Sequence, residues 1–176
     1  HLMSGGLDST TCLRMLLDEG NLVHCLLVNY RQQHAKELWF AEQTCKRWNV
    51  GFTVIDLPKL GGLTKENWVI PNRNAILLSL AVNLAMQGKA DTVTIGCNKD
   101  DEAMFPDCRM AFIQTYNNLL MMAEIHIEVC APFLDWPKAK IARLASDMRI
   151  ATKDIWTCYQ GGEEPCGECP ACKKLE

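Results

Sequence analysis

The stretch Ser4-Gly5-Gly6-Leu7-Asp8-Ser9-Thr10 limits the folds open to this chain more than any other. Only His1-Leu2-Met3 precede it, and they read as the end of a buried strand. Behind it runs an amphipathic segment with apolar Leu13, Leu16 and Leu17, which Gly20 closes as a helix stop. The stretch is therefore a strand-to-helix turn built from glycine and small hydroxyl residues. Such a turn aims several backbone N–H groups and a helix dipole at one spot, which makes an anion site. Glycine lets the backbone approach a phosphate closely, and the hydroxyls add donors at little steric cost. The competing reading is an ordinary glycine turn capped by Ser4 or Asp8.

The rest of the chain alternates strands and helices. Apolar runs predict strands at 22–28, 52–57, 91–97 and 126–131. Helical periodicity falls at 34–48, with Leu38, Ala41, Cys45 and Trp48 on one face, and at 74–87, 108–123 and 137–148. Pro137 suits the first turn of the last helix. Residues 58–72 and 98–107 read as loops, the second acidic. This alternation predicts an α/β fold with a doubly wound, parallel, five-stranded sheet. Ligands gather at the carboxyl ends of such strands. That rule selects 4–9, 29–34, the loop before Arg73, 98–109 and 132–138.

The chain has 176 residues, enough for one domain that buries about 70% of its extended surface. The net charge of -3 argues against nucleic acid as a direct partner. No 18-residue apolar run suggests a membrane span, and nothing resembles a cleavable signal. The chain does not begin with Met and its first strand is short, so further residues are expected upstream.

Ten cysteines are present, and four of them, Cys158, Cys166, Cys169 and Cys172, crowd into fifteen residues. Four soft ligands with Gly161, Gly162 and Gly167 between them describe a closed structural zinc site; an iron–sulfur cluster could use the same set. That clustering fits metal in a reducing cytosol better than disulfides. The expected layout is a nucleotide-binding domain over 1–154 and a metal-binding tail over 155–176 packed on it. The tail would hold Trp156 or Tyr159 as a wall of the site.

The Ser4–Ser9 turn lacks the Gly-Lys-Ser/Thr ending of the P-loop, and no lysine lies near it. Its Ser-Gly-Gly-x-Asp-Ser string resembles the signature of pyrophosphatase-loop (PP-loop) ATP enzymes, which cleave ATP between the α and β phosphates and adenylate a substrate oxygen. Further strings agree on one family within that class. Asn29-Tyr30-Arg31-Gln32-Gln33-His34 with Glu37 resembles the Tyr-Gly-Gln-x-His-x-x-Glu of the 7-cyano-7-deazaguanine synthases (QueC). Pro71-Asn72-Arg73-Asn74 resembles their Pro-Gly-Arg-Asn, and Pro106-Asp107-Cys108-Arg109 with Phe112 their Pro-Asp-Cys-Arg-x-x-Phe. Thr157-Cys158-Tyr159 and the remaining cysteines resemble their zinc tail. Arg31 and Asn72 stand where those strings carry glycine, and residues 58–70 and 98–105 differ from the family's usual connections.

The resemblance implies an adenine-nucleotide α-hydrolase-like, Rossmann-like fold. It implies ATP-dependent conversion of 7-carboxy-7-deazaguanine and ammonia to 7-cyano-7-deazaguanine through an adenylated acid and an amide, for queuosine or related modified guanines. ATP, Mg2+ and Zn2+ are the implied cofactors, and a cytoplasmic homodimer the implied state. A related enzyme passing the adenylated acid to another acceptor, such as a protein amine, is the alternative.

By the same resemblance, Ser4, Gly5, Gly6, Leu7, Ser9 and Thr10 cradle the pyrophosphate. Val28, Asn29 and Tyr30 lie near adenine. Asp8 either holds Mg2+ or caps the helix. Arg73 and Arg109 clamp an α-phosphate or substrate carboxylate, or form surface salt bridges. Asn74 belongs to the substrate set. Asp107 reads a guanine-like edge or caps the next helix. His34 contacts substrate or only starts its helix. Cys108 needs no nucleophilic role, because ATP already activates the acid. Lys138 and Lys140 read as surface lysines.

Overall fold

The computed structural model describes residues 1–31, 35–58, 60, 70–151, 155–158, 164, 166–169 and 172. Strand β1 (His24–Asn29) carries the run Cys25 to Val28, and all of these side chains are buried because both faces are covered. It pairs in parallel with β2 (Gly51–Asp56), from His24 opposite Gly51 to Asn29 opposite Asp56. A second parallel pair joins β3 (Thr92–Thr94) to β4 (Glu128–Cys130). Residues 1–3 stitch the pairs together. Leu2 bridges Leu26 in parallel, Met3 N–H donates to the Leu26 carbonyl (3.0 Å), and Leu2 N–H donates to the Thr94 carbonyl (2.9 Å).

The first segment is thus the centre of a five-stranded sheet in the order β2, β1, residues 1–3, β3, β4. The chain winds outward on one side, returns, and winds outward on the other. Its switch point lies at the carboxyl end of residues 1–3, where Ser4 begins.

Alternate strand residues face opposite layers. Cys25 and Leu27 pack under Leu13 of α1 (Leu7–Asp18) and Ala41 and Cys45 of α2 (Ala35–Arg47). Leu26 and Val28 pack with α3 (Arg73–Gly88) through Leu78 and Val82 and with α4 (Met110–Met122) through Ile113 and Leu120. Helix α5 (Lys138–Asp147) lays Ile141 and Ala145 against Leu7 and Cys12 of α1. No helix among the described residues is long and apolar enough to cross a membrane.

The elements depart from expectation at their ends. Leu22 is fully exposed and lies outside β1. The strand expected over 91–97 stops at Thr94 after one further ladder bond, Ile95 N–H to the Cys130 carbonyl (3.0 Å). It stops because Gly96 is pressed against the backbone of Ser9 and Asn98 turns aside to accept the N–H of Asp100. The strand expected over 126–131 narrows to β4 for want of a longer partner. The acidic loop holds two 3-10 turns, Lys99–Asp101 and Pro106–Cys108, and the second delays the start of α4.

Both residues that stand where the resembled strings carry glycine adopt the left-handed region, Arg31 at φ 56° and Asn72 at φ 63°. A glycine there serves the backbone, so the two replacements keep the turns rather than reshape them. Asn29 supports the first turn, its Oδ1 accepting the Arg31 N–H at 3.1 Å. Left-handed geometry costs a residue with a Cβ about 1 kcal/mol or more, and Asn tolerates it better than most. Arg31→Gly should therefore raise Tm in thermal melts, and Asn72→Gly should raise it less. An Arg31→Gly protein that melts below the parent would contradict this account.

Candidate active site

The site is assembled at the switch point from the start of α1. Helix α1 begins after Gly6, and no side chain caps it. The first intrahelical bond runs from Thr10 N–H to the Gly6 carbonyl (3.1 Å), so the preceding N–H groups have no helical acceptor and point out of the helix. Neither Ser4 nor Asp8 caps the helix, although the Ser4 hydroxyl does bond the turn at Gly6. Instead Ser4 and Ser9 bond each other through their hydroxyls (3.0 Å), and the Gly6 N–H donates to Ser4 Oγ (3.3 Å). Ser4 is exposed at the mouth of this cradle.

Gly5 is required by both conformation and space. Its φ is +86°, and a Cβ on it would lie 2.2 Å from the Glu37 carbonyl oxygen and 2.9 Å from the Ala41 nitrogen of α2. From the other side the Trp156 N–H donates to the Gly5 carbonyl (3.0 Å). Trp156 in turn stacks on Phe40 of α2 at 5.7 Å, and Lys36 Nζ sits 4.6 Å from its ring centroid. The tail is thus locked onto the loop through Trp156. Tyr159, the other wall considered, lies outside the described residues.

Asp8 does not cap the helix. Its Oδ2 accepts from Lys138 Nζ at 2.5 Å and from Asn98 Nδ2 at 3.1 Å, while its Oδ1 is buried with no partner among the described residues. A buried carboxylate oxygen left without a donor fits a cation. Lys138 is therefore no surface lysine: its side chain is only 17% exposed. Lys140 is exposed and lies over the Trp136 ring at 3.4 Å. Asn98 is fully buried and also donates to Asp101 Oδ2 (2.7 Å), while the Lys138 N–H donates to Asp100 (2.9 Å). Lys138, Asn98 and Gly96 are the residues that motif reading missed. Their one sequence signal is position, since each follows the carboxyl end of a strand.

The other half of the cleft lies past the ends of β1 and β3. Val28 is buried, and Asn29 donates to Asp56 Oδ1 (2.8 Å). Arg73 is half-buried, 5.8 Å from the Phe105 ring centroid, and hydrogen-bonds Tyr30. Burial opposes its charge, but Tyr30, Cys108 and Asp107 keep the guanidinium protonated. Burial also raises the Tyr30 phenol, with Arg73 pulling the other way. Asn74 is buried and donates to the Asp107 carbonyl (3.1 Å) and Cys108 Sγ (3.4 Å). The Asp107 carboxylate accepts the Asn74 N–H (3.1 Å), so it serves the first turn of α3 rather than its own following helix. Arg109 is exposed, and its Nε donates to the Glu102 carbonyl (3.0 Å). His34 lies outside the described residues.

The ligand atoms of Cys158, Cys166, Cys169 and Cys172 all lie within 4.8 Å of one another, and this set could hold a metal ion. Tetrahedral thiolates about 2.3 Å from a zinc ion stand about 3.8 Å apart. Cys166 and Cys172 Sγ are 3.9 Å apart. Backbone N–H groups of Glu168 and Cys169 pull the Cys166 thiol down to about 7, which readies a thiolate near neutral pH.

A parallel sheet whose switch point carries an uncapped, glycine-turned helix start defines a doubly wound α/β protein with a turn suited to an anion at its ligand edge. Solved structures share the fold. The U34-tRNA thiolase NcsA from Methanococcus maripaludis aligns with TM-score 0.60 at 17% identity, over 85% of this chain and 56% of that one. The NMN synthetase from Francisella tularensis aligns with TM-score 0.56 at 13% identity, over 89% of this chain and 63% of that one. Within the class, the chain belongs to the family described as Queuosine biosynthesis protein QueC, whose model matches residues 1–69 and 62–175. It is 37% identical to the 7-cyano-7-deazaguanine synthase of Hahella chejuensis, over 99% of this chain and 85% of that protein. It is also 37% identical to that of Archaeoglobus fulgidus, over 97% of this chain and 81% of that protein.

Gly5→Ala tests the close approach of α2. The new methyl must displace the loop or the helix, and a shift of about 1 Å in a positioning element costs on the order of 100-fold in function. ATP affinity by calorimetry should fall by that order while circular dichroism stays near the parent's. Unchanged affinity would mean that the loop is not the nucleotide site.

Proposed function

We propose that this chain is an ATP-dependent ligase that converts 7-carboxy-7-deazaguanine and ammonia to 7-cyano-7-deazaguanine. The observation that carries this reading is near full-length similarity to synthases of that name, with an uncapped PP-loop at the switch point. The acid is adenylated, ammonia displaces AMP to give the amide, and a second adenylation allows the amide to lose water to the nitrile.

The chain's own residues divide this work. Ser4, Gly5, Gly6, Leu7, Ser9 and Thr10 hold the departing pyrophosphate through N–H groups and hydroxyls, where a fixed dipole is worth most. Asp8, with an oxygen unpartnered among the described residues, would hold Mg2+, which would supply charge neutralisation of the phosphates. Lys138 keeps Asp8 in place. Val28, Asn29 and Tyr30 border the adenine. Arg73, anchored by Tyr30 and Phe105, presents a guanidinium to an α-phosphate or to the substrate carboxylate. Asp107, Asn74, Arg109 and His34 complete the substrate side. The cysteine tail takes Zn2+, a reading supported by four sulfurs within 4.8 Å of one another, two of them at the spacing of zinc-bound thiolates. Exposed Leu119, Met121 and Met122 on α4 support a homodimer, and the reducing conditions that thiolate ligands need support the cytoplasm.

The deciding incubation contains ATP, Mg2+, an ammonium salt and 7-carboxy-7-deazaguanine, read by mass spectrometry. Nitrile should accumulate with AMP. AMP without nitrile would point to another acceptor, and neither product would sink the reading. The zinc reading predicts that a strong chelator lowers Tm and weakens ATP binding, because Trp156 couples the tail to Gly5, and that zinc restores both. A chelated protein that still binds ATP at the parent's affinity would separate the tail from the loop.

A further inference from the structure

Glu37 lies in the first turn of α2, and its backbone touches the loop at Gly5. Its side chain is half-buried, and among the described residues no hydrogen bond or ion pair reaches its carboxylate. Three elements face it. Arg73 comes from α3, Lys138 from α5, and Tyr30 follows β1. Neither cation is consumed by Glu37, since Lys138 pairs with Asp8 and Arg73 bonds Tyr30. The other carboxyls of the cleft are occupied, Asp8 by Lys138 and Asn98, Asp107 by the Asn74 N–H.

The nitrile-forming reaction, on which this inference rests, strips all three protons from the ammonia nitrogen: one as the amide forms, one as the amide oxygen takes up AMP and pyrophosphate leaves, and one as the nitrile forms; the first and the last accompany departure of AMP. In amide formation the C–N bond forms, the C–O bond to AMP breaks with its electron pair leaving on AMP, and the attacking nitrogen sheds a proton. In nitrile formation the adenylated amide breaks its C–O bond, again to AMP, and the nitrogen loses its last proton.

We propose that Glu37 is the catalytic base of both nitrogen steps, its carboxylate taking the proton shed by nitrogen as AMP departs. An ordinary carboxylate is too weakly basic to take a proton from a nitrogen nucleophile. Here burial pushes the Glu37 carboxyl up to about 8, against the opposing pull of Arg73 and Lys138. A base serves best with a pKa near the working pH. The same two cations stabilise the carboxylate once it ionises.

The experiment separates the half-reactions. ATP–pyrophosphate exchange with 7-carboxy-7-deazaguanine reads adenylation without ammonia, and conversion of the synthetic amide to nitrile reads the second nitrogen step. Glu37→Gln should slow amide and nitrile formation roughly 100-fold or more, the range for loss of a general base. Exchange should change by less than about threefold, since that step needs no base on nitrogen. In the parent, the nitrogen steps should rise with pH through a limb near pH 8 that Glu37→Gln lacks and Glu37→Asp partly restores.

Stability checks folding. Between pH 4.5 and about 8 the folded state keeps a Glu37 proton that the unfolded chain releases, so the parent loses stability as pH rises through that window. Glu37→Gln should therefore melt above the parent at pH 8 and higher, with the gap closing toward pH 5. An equal fall in exchange and nitrile formation, or a parent-like pH limb in Glu37→Gln, overturns the assignment. A parent that makes no amide or nitrile overturns the nitrile-forming reading instead, and this inference with it.

Discussion

The close approach of two backbones at Gly5 is the contact on which the rest of the site depends. Helix α2 comes so near that no Cβ fits between it and the loop. Gly96 repeats the device beneath, where a Cβ would lie 3.0 Å from Ser9 nitrogen. With α2 on one side, β3's continuation below and the Trp156 N–H on the remaining edge, the loop is held in place: its hydroxyls take up the Ser4 and Gly6 N–H groups, and the N–H groups at the start of α1, ahead of Thr10, keep no acceptor among the described residues. Donors that stay unspent in the folded state cost stability, and they persist only where the surroundings over-determine them. Here the surroundings are backbone, the least compressible partner available.

Charge is arranged by the same logic. Lys138 and Asp8 form a mostly buried pair, which by itself is weak support for stability because both ions are desolvated. Its value is orientation. Asn98 and Lys138 share one oxygen of Asp8 and leave the other bare, so the carboxylate is fixed with an open valence. Glu37 shows the opposite solution: a carboxyl beside the same cations, without a bonded partner among the described residues and pushed up by burial. Two acids of one cleft thus stand in different environments, one ion-paired and one raised by burial.

The family pattern gains a physical meaning at Arg31 and Asn72. Both retain the left-handed backbone that a glycine would adopt freely. The turns they close bring Tyr30 and Arg73 to the same part of the cleft. A departure from the family strings at these positions is therefore a cost in backbone strain and not a change of site geometry.

The chain by itself determined the order of strands and helices, the anion-binding turn and the cysteine cluster, because each is written in local period, glycine placement or close spacing. Strand ends were less legible: β3 is cut short by a neighbour, Ser9, that no window around Thr94 contains. Tertiary structure alone decided that Lys138 is a site residue, since its partner Asp8 lies 130 positions away and a lysine opening an amphipathic helix looks solvent-facing in sequence. It likewise decided that Asn98 binds Asp8 across 90 positions and that Asp107 serves α3 rather than the helix it precedes. Burial separates the two kinds of knowledge. Which residues can bind a phosphate or a metal is chemistry carried by the side chains, whereas which carboxyl keeps its proton depends on what folds over it.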